Sequence, residues 1–540
     1  MTVPSQFVNA RECIVTDALS GLVRITPGTA LLDGFPHVRV LLRTEFDGSR
    51  VALVSGGGSG HEPAHAGFVG PGMLTAAVCG DVFASPSVEA VLAGILAVTG
   101  EGGCLLVVKN YTGDRLNFGL AAERARAMGH EVEMVIVADD VALPDIAQPR
   151  GVAGTLLVHK IAGALADAGA PLSEVAATAR EVAAAARTIG MSLTTCTVPG
   201  AAPEDRIPAG RAELGLGIHG EPGARQVDHG GADGAMALLA EALAPTIGEG
   251  EHVALLNNLG GATPLEMAIC AGALARGPLG DRIAHLVGPA PMMTALDMRG
   301  LSLTLLPARA DWVEALAAPV PMPAWPGCMP MRDPAPHRMP EGLAPRRFAA
   351  SRDADASRIL HAACDAMIAA EGDLNALDAK SGDGDTGATL AAAARALKDA
   401  ESRLPMADRP ALLAAIGQEL SQTMGGSSGV LLAILFTAAG EAAQEGADLP
   451  EALRAGLSRV MEVGGAGPGD RTLIDALAPA LEAMPRGMPE AAQAARRGAE
   501  ATADMGRALA GRAAYVGEGA LRGHADPGAE AVARLLESLA

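Results

Sequence analysis

The sequence predicts a multidomain protein in which an N-terminal α/β region of two lobes is followed by a C-terminal all-α helical barrel or bundle. The 540 residues are too many for one hydrophobic core, because domains usually hold roughly 100–200 residues. Up to about residue 319, short strand-like runs alternate with helical runs, which is typical of α/β layers. Beyond about residue 349, only runs with helical spacing recur, joined by Gly, Pro and Asp turns.

The predicted strands of the first region are short apolar runs, several of which suit burial on both faces. They cover residues 51–55, 103–109, 133–138, 252–257 and 301–306. The helices predicted between them cover residues 88–98, 116–128 and 173–189. Prolines at 171 and between 199 and 208 place a boundary between two lobes near residues 185–200. We therefore expect the first domain over residues 1–320.

A proline-rich segment separates the two regions. Prolines recur so often from residue 319 to residue 345 that neither a helix nor an inner strand can form there. This density predicts an extended, solvated linker over residues 321–348. The second domain is expected over residues 349–540, and its apolar spacing predicts about eight helices. They cover residues 354–370, 386–400, 410–424, 430–443, 449–463, 473–483, 489–507 and 528–539.

Charge and composition argue against several classes of protein. The formal net charge of -21 disfavours nucleic-acid binding, which requires clustered Lys and Arg. No apolar run approaches the roughly 18–20 residues of a membrane span, and no secretion signal is recognised at the N-terminus. The seven cysteines form an odd set without a CxxC pair, which indicates reduced thiols. These features predict a cytoplasmic protein with no nucleic-acid or membrane partner.

An acidic turn in the second region is a candidate metal site. Asp378, Asp383 and Asp385 are crowded into eight positions, and Gly382 and Gly384 allow the tight turn that would aim them together. Carboxylates without His or Cys suit Mg²⁺ or Ca²⁺, and Mg²⁺ usually shares its shell with phosphate oxygens. A solvated acidic turn is the competing interpretation, because Asp and Gly are common turn residues.

Glycine-rich turns in the same region are candidate nucleotide-binding residues. One turn follows a helix and opens the next, so its free N–H groups would suit a phosphate; it comprises Gly425, Gly426, Ser427, Ser428 and Gly429. Two further turns, at 467–472 and 523–528, supply the candidates Arg471, Asp526, Pro527 and Gly528. Each of these turns could instead be an ordinary helix cap. The sequence carries no P-loop and no protein-kinase motif set.

A second group of candidates lies at turns that follow predicted strands of the first region, where ligands collect in α/β sheets. These residues are Gly58, Ser59, Gly60 and His61 after one strand, Lys109 and Asp114 after another, and His219 between glycines. A lone His is usually structural, but His61, Asp114 and His219 each stand at a glycine-containing turn. A neutral imidazole can add to a carbonyl carbon, and a nearby carboxylate or imidazole can take a hydroxyl proton. A small hydroxylated carbonyl compound would suit such a site.

Together these motifs resemble the dihydroxyacetone kinase family in its fused, ATP-dependent form. The substrate (K) domain motifs are Gly-Gly-Gly-Ser-Gly-His-Glu-Pro at 56–63, Lys-Asn-Tyr-Thr-Gly-Asp at 109–114, Gly-Ile-His-Gly-Glu-Pro-Gly at 217–223 and Asn-Asn-Leu-Gly-Gly at 257–261. The nucleotide (L) domain motifs are Gly-Asp-Gly-Asp-Thr-Gly at 382–387, Gly-Gly-Ser-Ser-Gly at 425–429 and Asp-Pro-Gly at 526–528. The resemblance covers nearly the whole chain.

The resemblance implies a role for each candidate. His219 would hold a short-chain ketose as a covalent hemiaminal, and Asp114 and His61 would contact the reacting hydroxyl, one of them as general base. Gly58, Ser59, Gly60 and Lys109 would line the pocket. The three aspartates would hold two Mg²⁺ bridging the phosphates of ATP, with the 425–429 turn cradling phosphate oxygens. The resemblance also implies a homodimer, in which the L domain of one subunit would be able to face the K domain of the other.

Several alternatives stay open at this point. The motifs do not distinguish dihydroxyacetone from erythrulose or glyceraldehyde, and Thr263 beside one motif is a candidate for tuning that preference. From other classes, a phosphorelay component with a bound nucleotide and a non-catalytic ketose sensor are disfavoured. The fused domains argue against the relay, and the complete set of L-domain aspartates argues against the sensor. The sequence does not decide whether FAD is cyclised as a side activity.

Overall fold

The computed structural model describes residues 6–144, 146–202, 204–341, 343, 345–517 and 521–540, without the side chains of 427, 428 and 512. The chain divides into two compact units, Met1–Ala335 and Pro336–Ala540. The break between them falls inside the proline-rich segment predicted as a linker. Among the described residues, no helix is both long and apolar enough to cross a membrane.

The first sheet of the first unit has six strands in the order β1-β2-β4-β3-β5-β6. The strands are β1 Thr29–Leu31, β2 Val40–Arg43, β3 Ala52–Ser59, β4 Ala76–Val82, β5 Cys104–Lys109 and β6 Val132–Val137. The last four in spatial order run parallel, and β1 and β2 form an antiparallel edge. Both β3 and β5 are buried at every position, as expected for inner parallel strands with helices on both faces. The sheet therefore aligns the carboxyl ends of β3 and β5.

The second sheet has seven strands in the order β13-β11-β10-β12-β7-β8-β9. They are β7 Arg187–Ser192, β8 Ala212–Leu214, β9 Arg225–Val227, β10 His252–Asn258, β11 Ile283–Pro291, β12 Gly300–Pro307 and β13 Cys328–Pro330. Only β10 and β11 pair in parallel, and the other neighbours pair antiparallel. The short strands β8 and β9 bracket a loop, residues 215–224, that carries His219.

The helices of the first unit cover the faces of these sheets. They are α1 Ile14–Ile25, α2 Val88–Val98, α3 Thr112–Ala127, α4 Thr155–Asp167, α5 Leu172–Ala185, α6 Gly231–Leu243, α7 Pro264–Arg276 and α8 Ala310–Ala317. One core layer joins α2 and α3 to the first sheet, with Ile95 and Phe118 fully buried in it. A larger core lies on the other face, where α4 and α5 contribute Leu156 and Val175.

One predicted helix of the first unit ends too late. Residues 173–189 were expected to be helical throughout, but α5 ends at Ala185 and β7 starts at Arg187. Residues of β7 pair with β12 across the sheet, from Arg187 opposite Leu305 to Ser192 opposite Gly300. This tertiary pairing overrides the helical spacing, which the sequence continues to residue 189. The strand is the first along the chain to join the second sheet.

The start of the predicted linker is folded onto the first unit. Met322 and Trp325 are buried, and the indole Nε1 of Trp325 donates to the Leu316 carbonyl at 3.3 Å. Cys328–Pro330 then pairs antiparallel with β11 as an edge strand, where proline is tolerated. The expectation of a solvated linker over 321–348 is therefore wrong for its first part.

All regular elements described in the second unit are helices. They are α9 Ala354–Ala369, α10 Glu371–Asp378, α11 Thr386–Ala400, α12 Arg409–Thr423, α13 Gly426–Gln444, α14 Leu449–Gly464, α15 Ile474–Ala483, α16 Met488–Ala501 and α17 Pro527–Glu537. Alanines dominate the buried faces of α15, α16 and α17, as at Ala476, Ala480 and Ala495, so these helices approach closely, whereas leucines and methionines fill the core around α9. The predicted order, an α/β region followed by an all-helical region, is confirmed.

Candidate active site

Two histidines meet in the first unit. His61 lies in the turn after β3 and is fully buried, and its Nδ1–H donates to the Thr294 carbonyl at 2.7 Å. Its Nε2 lies 3.1 Å from Nε2 of His219. Burial, with smaller contributions from Lys109 and His219, holds the pKa of His61 well below its ordinary value. His61 is therefore a neutral imidazole with its Nε2 facing the partner ring.

The carboxylate of Glu221 holds the other side of the His219 ring. Its Oε1 lies 3.0 Å from His219 Nδ1, and its Oε2 accepts the backbone N–H of His219 at 2.9 Å. Burial alone would raise the pKa of Glu221, but the hydrogen bonds and charge of His219 lower it to about 2. An ionised carboxylate only accepts hydrogen bonds, so Nδ1 of His219 carries a proton. With Nδ1 protonated on both rings, Nε2 is the remaining nitrogen of each ring.

Aromatic rings enclose His219. The ring centroid of Tyr111 lies 4.5 Å away and that of Phe83 5.1 Å away, both edge to face. Phe83 also stacks on His61 at 5.2 Å. Such offset and edge-on pairs are favoured by the ring quadrupoles. The imidazole is therefore fixed by rings on its sides and by Glu221 at Nδ1.

Lys109 and Asp114 meet beside the glycine-rich end of β3, which the structure extends to Ser59. A Cβ added at Gly57 would lie 3.3 Å from both Lys109 Nζ and Asp114 Oδ2, and the φ of 148° at Gly57 would strain any other residue there. Asp114 lies in the first turn of α3 and accepts a hydrogen bond from the Ser85 hydroxyl. The Lys109 amine is buried without a hydrogen-bond partner among the described residues. Burial lowers the pKa of Lys109, although Asp114 opposes the shift.

Gly58 and Ser59 end β3, and Gly60 begins the turn that follows it. A Cβ at Gly58 would lie 2.7 Å from the backbone nitrogen of Ala84, and Gly60 has a φ of 100°. Both positions therefore require glycine, one for close backbone approach and one for its left-handed backbone. The Ser59 hydroxyl donates to the Gly80 carbonyl at 2.8 Å and so ties the end of β3 to β4.

In the second unit the acidic turn folds around Asp378. This buried residue ends α10, and its Oδ2 accepts backbone N–H groups of Gly384 and Asp385 at 3.0 Å and of Thr386 at 3.3 Å. Carboxylate oxygens of Asp378, Asp383 and Asp385 lie within 4.8 Å of one another. Three converging oxygen donors without nitrogen or sulfur fit a hard divalent cation such as Mg²⁺. The predicted convergence of these carboxylates is thus present in the structure.

The predicted glycine turn opens a helix. Gly425 is the N-cap of α13, and Gly426 has a φ of 73°. The N–H groups of this first turn have no partner within the helix itself, which makes the end suitable for an anion. Gly429 packs on Met424, where a Cβ would collide. The side chains of Ser427 and Ser428 lie outside the part that the structure describes.

Arg471 and the 526–528 turn lie together. Arg471 is buried, has a φ of 60°, and donates to the His524 carbonyl at 2.8 Å. Asp526 caps α17 by accepting the Ala529 N–H at 2.9 Å, and Pro527 and Gly528 form the first turn of that helix. Burial raises the pKa of Asp526 to about 6, against the hydrogen bond from Ala529 and the charge of Arg471.

The neighbouring turns also approach the acidic turn. Lys380 Nζ lies 3.4 Å from His524 Nδ1, which joins the acidic turn to the 523–528 turn. The structure therefore brings the predicted metal-site turn close to one of the predicted nucleotide-site turns.

Two family models match most of the chain. The Dak1 domain matches residues 20–324 and the DAK2 domain matches residues 380–540. A dihydroxyacetone kinase of Citrobacter freundii is 48% identical over 99% of this chain and 98% of its own length. The chain belongs to the dihydroxyacetone kinase family. It is also 44% identical to a putative 3,4-dihydroxy-2-butanone kinase of Solanum lycopersicum, over 98% of this chain and 96% of that protein.

A solved structure of the same family matches both units. It is the dihydroxyacetone kinase of C. freundii in complex with AMP-PNP and Mg²⁺, with a TM-score of 0.69, 45% identity and coverage of 99% of both chains. The resemblance read from the motifs is confirmed at the level of the family.

Several residues of this kinase-family site were not found from the sequence. Glu221 stood inside a quoted motif without a role, although an acid two residues from a candidate His was the available signal. Tyr111 likewise stood inside a motif. Tertiary folding brings Phe83 and Thr294 into contact with the histidines. Thr294 is 233 residues from His61, and no local sequence pattern predicts either contact.

Proposed function

We propose that the protein phosphorylates a short-chain ketose, with dihydroxyacetone as the first candidate and Mg-ATP as phosphoryl donor. The observation that carries this proposal is the arrangement of His219, whose Nδ1 is held by Glu221 while its Nε2 faces the neutral His61 at 3.1 Å. An imidazole held in this way presents one nitrogen to an electrophilic carbon. Family membership supports the same reaction class.

The substrate would be captured by addition to its carbonyl group. Nε2 of His219 forms a bond to the carbonyl carbon as the carbon–oxygen π bond breaks. A proton taken up from solvent reaches the carbonyl oxygen through Nε2 of His61, and that oxygen becomes a hydroxyl. The ring of His219 then carries a positive charge opposite the Glu221 carboxylate. Glycerol has no carbonyl group and would not be captured.

The second half of the reaction needs a base for the terminal hydroxyl of the captured ketose. Asp114 and His61 are the two candidates, and we propose that one of them accepts this proton. Lys109, with its unpaired buried amine, would bind an oxygen of the substrate. Gly58, Ser59 and Gly60 would form the wall of the pocket, since they build the turn next to these groups.

The second unit would bind the nucleotide. Asp378, Asp383 and Asp385 would hold Mg²⁺, two ions by the family resemblance, and the turn from Gly425 to Gly429 would receive phosphate oxygens. Arg471, Asp526, Pro527 and Gly528 would complete the nucleotide pocket. Bound Mg²⁺ would neutralise charge on the phosphates during in-line transfer. We further propose that the protein acts as a homodimer, which light scattering would test.

A related ketose is the second candidate for the substrate. The relative from S. lycopersicum is named for 3,4-dihydroxy-2-butanone, which has four carbons. Erythrulose also has four carbons and a ketone flanked by a hydroxymethyl group, so it would present the same carbonyl to His219. Glyceraldehyde would present an aldehyde instead.

The test is the initial rate of the purified protein with Mg-ATP over a panel of substrates. The panel contains dihydroxyacetone, D- and L-erythrulose, glyceraldehyde and glycerol. We expect turnover of the ketoses and none of glycerol, and the highest kcat/KM identifies the preferred substrate. Turnover of glycerol at the rate of the ketoses would contradict capture through a carbonyl. Ketose binding without turnover by Mg-ATP would contradict the kinase assignment.

A further inference from the structure

The loop that carries His219 is held by several charged side chains, and only one of them reaches the ring. Arg206 donates to the Gly220 carbonyl at 2.9 Å, and Glu213 accepts the Gly223 N–H at 2.7 Å. Arg150 donates to the Gly215 carbonyl at 2.7 Å. These three side chains fix the backbone of the loop. Glu221 differs from them because it contacts both the backbone and the imidazole of His219.

The position of Glu221 is itself tightly determined. A Cβ at Gly217 would collide with Glu221 Oε2 and would lie 2.7 Å from Nη1 of Arg150. The guanidinium and the carboxylate therefore both press against this glycine. Arg150 is in turn bound by Asp140, whose Oδ2 lies 2.6 Å from its Nε. Gly217 thus leaves the space that the Glu221 carboxylate occupies, and the two contacts with His219 hold the carboxylate there.

We propose that Glu221 is the positioning residue of His219, holding the ring proton on Nδ1 so that Nε2 attacks the carbonyl carbon. The same carboxylate lies against the ring on which addition places a positive charge. This inference rests on the proposed function, because it concerns the capture of a ketose by His219. Its effect on the ring proton, however, is a property of the protein without substrate and is measured separately.

The substitution Glu221→Gln distinguishes the two ring tautomers. The backbone N–H of His219 needs an acceptor, so the amide oxygen of the glutamine takes the place of Oε2. The amide NH₂ then takes the place of Oε1 and faces Nδ1 as a donor. A donor at that position favours the tautomer with the proton on Nε2, which removes the lone pair needed for addition. The variant therefore keeps the size of the side chain but places a hydrogen-bond donor at Nδ1 instead of an acceptor.

The matched control is Glu213→Gln. Glu213 lies at the base of the same loop, accepts a backbone N–H from it and pairs with Arg206 at 3.1 Å. It holds the loop without being described in contact with the His219 ring. A loss caused by general loosening of the loop would appear in this control too, whereas a loss caused by the wrong tautomer would not.

Two spectroscopic measurements on the full-length protein test the proposal. Nitrogen-15 NMR of histidine-labelled protein reports which ring nitrogen of His219 is protonated, and the His219→Ala spectrum assigns its signal among the 12 histidines. Carbon-13 NMR of dihydroxyacetone labelled at the carbonyl carbon reports whether that carbon becomes tetrahedral on binding. We expect Glu221→Gln to move the proton to Nε2 and to lower kcat/KM for the ketose by roughly 10–100-fold, mainly through KM. Glu213→Gln should keep the native tautomer.

The outcomes separate this inference from the proposed function. A wild-type protein that never forms a tetrahedral adduct overturns the covalent capture, whatever the tautomer. A wild-type adduct together with an unchanged tautomer and adduct in Glu221→Gln overturns the role of Glu221. The same tautomer change in Glu213→Gln would also overturn it, because loop order would then set the ring. Glu221→Asp is the second variant: it keeps the charge on a shorter side chain and should retain the Nδ1–H tautomer, and behaviour like that of Glu221→Gln would contradict the proposal.

Discussion

The candidate ketose site and the candidate metal site differ in how far the protein alone completes them. In the first unit, both histidine Nδ1 atoms have acceptors, and aromatic rings pack around His219. In the second unit, three carboxylates converge within 4.8 Å, and Asp383 and Asp385 are exposed. Two such charges at this distance repel by about 1 kcal/mol in bulk water, and by more where solvent is displaced. Contacts within the protein therefore order the ketose site, whereas the carboxylates of the metal site repel one another until a cation binds.

The largest test of this comparison is Asp383→Ala. We expect turnover with Mg-ATP to fall by roughly 10³-fold or more, because transfer depends on charge neutralisation at the phosphates. Ketose capture in the first unit should be unchanged by carbon-13 NMR. Mg²⁺ should raise the unfolding temperature of the second unit in the wild-type protein and not in this variant, as differential scanning calorimetry would show. Full turnover in Asp383→Ala would contradict the proposal that Asp383 holds Mg²⁺ for phosphoryl transfer.

The complementary change is His219→Ala. It should abolish the tetrahedral adduct, raise KM for ketoses and lower their kcat/KM by roughly 10²-fold or more, because the substrate loses the covalent bond that orients it. Binding of Mg-ATP should be unaffected by calorimetric titration. The same ketose affinity and the same discrimination against glycerol in this variant would show that the covalent assignment is wrong.

A pH-dependent prediction concerns the buried Asp526. Its pKa is raised from 3.8 to about 6, so the folded protein binds this proton more tightly than the unfolded chain does. Stability is therefore greatest below about pH 4 with respect to this group, and is lost as pH rises through 6. The loss is about 3 kcal/mol at roughly 1.4 kcal/mol for each pKa unit. Asp526→Asn keeps an N-cap and should remove this dependence from the urea unfolding of the second unit between pH 4 and pH 7; an unchanged pH profile would contradict the assignment.

The smallest expected effect comes from Thr263, which the sequence offered as a residue that tunes substrate preference. In the structure it caps α7: its hydroxyl accepts the Glu266 N–H at 3.2 Å, and the Glu266 side chain returns to the Thr263 N–H. Thr263→Ala should cost about 1 kcal/mol of stability, and Thr263→Ser should cost much less. Both should leave the order of kcat/KM over the ketose panel unchanged; a changed order would return Thr263 to the substrate site.

Local sequence predicted the elements wherever local forces decide them. The helix over 386–400 has the predicted bounds because an alanine-rich run lies between the Asp385 turn and Glu401. The prediction failed at Arg187, where pairing with β12 decides the structure, and at Trp325, whose burial comes from tertiary contacts. Both failures concern contacts with distant parts of the chain.

The candidate sites divide along the same line. Glycines lie beside His61 and His219 and within the acidic turn, because the backbone approaches other groups closely there and only a small residue fits. The contacts that determine the chemistry are harder to predict from local sequence. The distance between the two Nε2 atoms joins residues 158 positions apart, and the Phe83 ring reaches both histidines from a third segment. A motif can therefore name the reacting residue without naming the groups that set its protonation.

The placement of the tryptophans has a practical consequence. The sequence contains two, Trp312 and Trp325, and both are buried in the first unit. Intrinsic tryptophan fluorescence consequently follows the unfolding of that unit alone, while circular dichroism records the helices of both. Where the two signals change at different denaturant concentrations, the transition without a fluorescence change belongs to the second unit. The two tryptophans thus allow the stabilities of the two units to be measured separately.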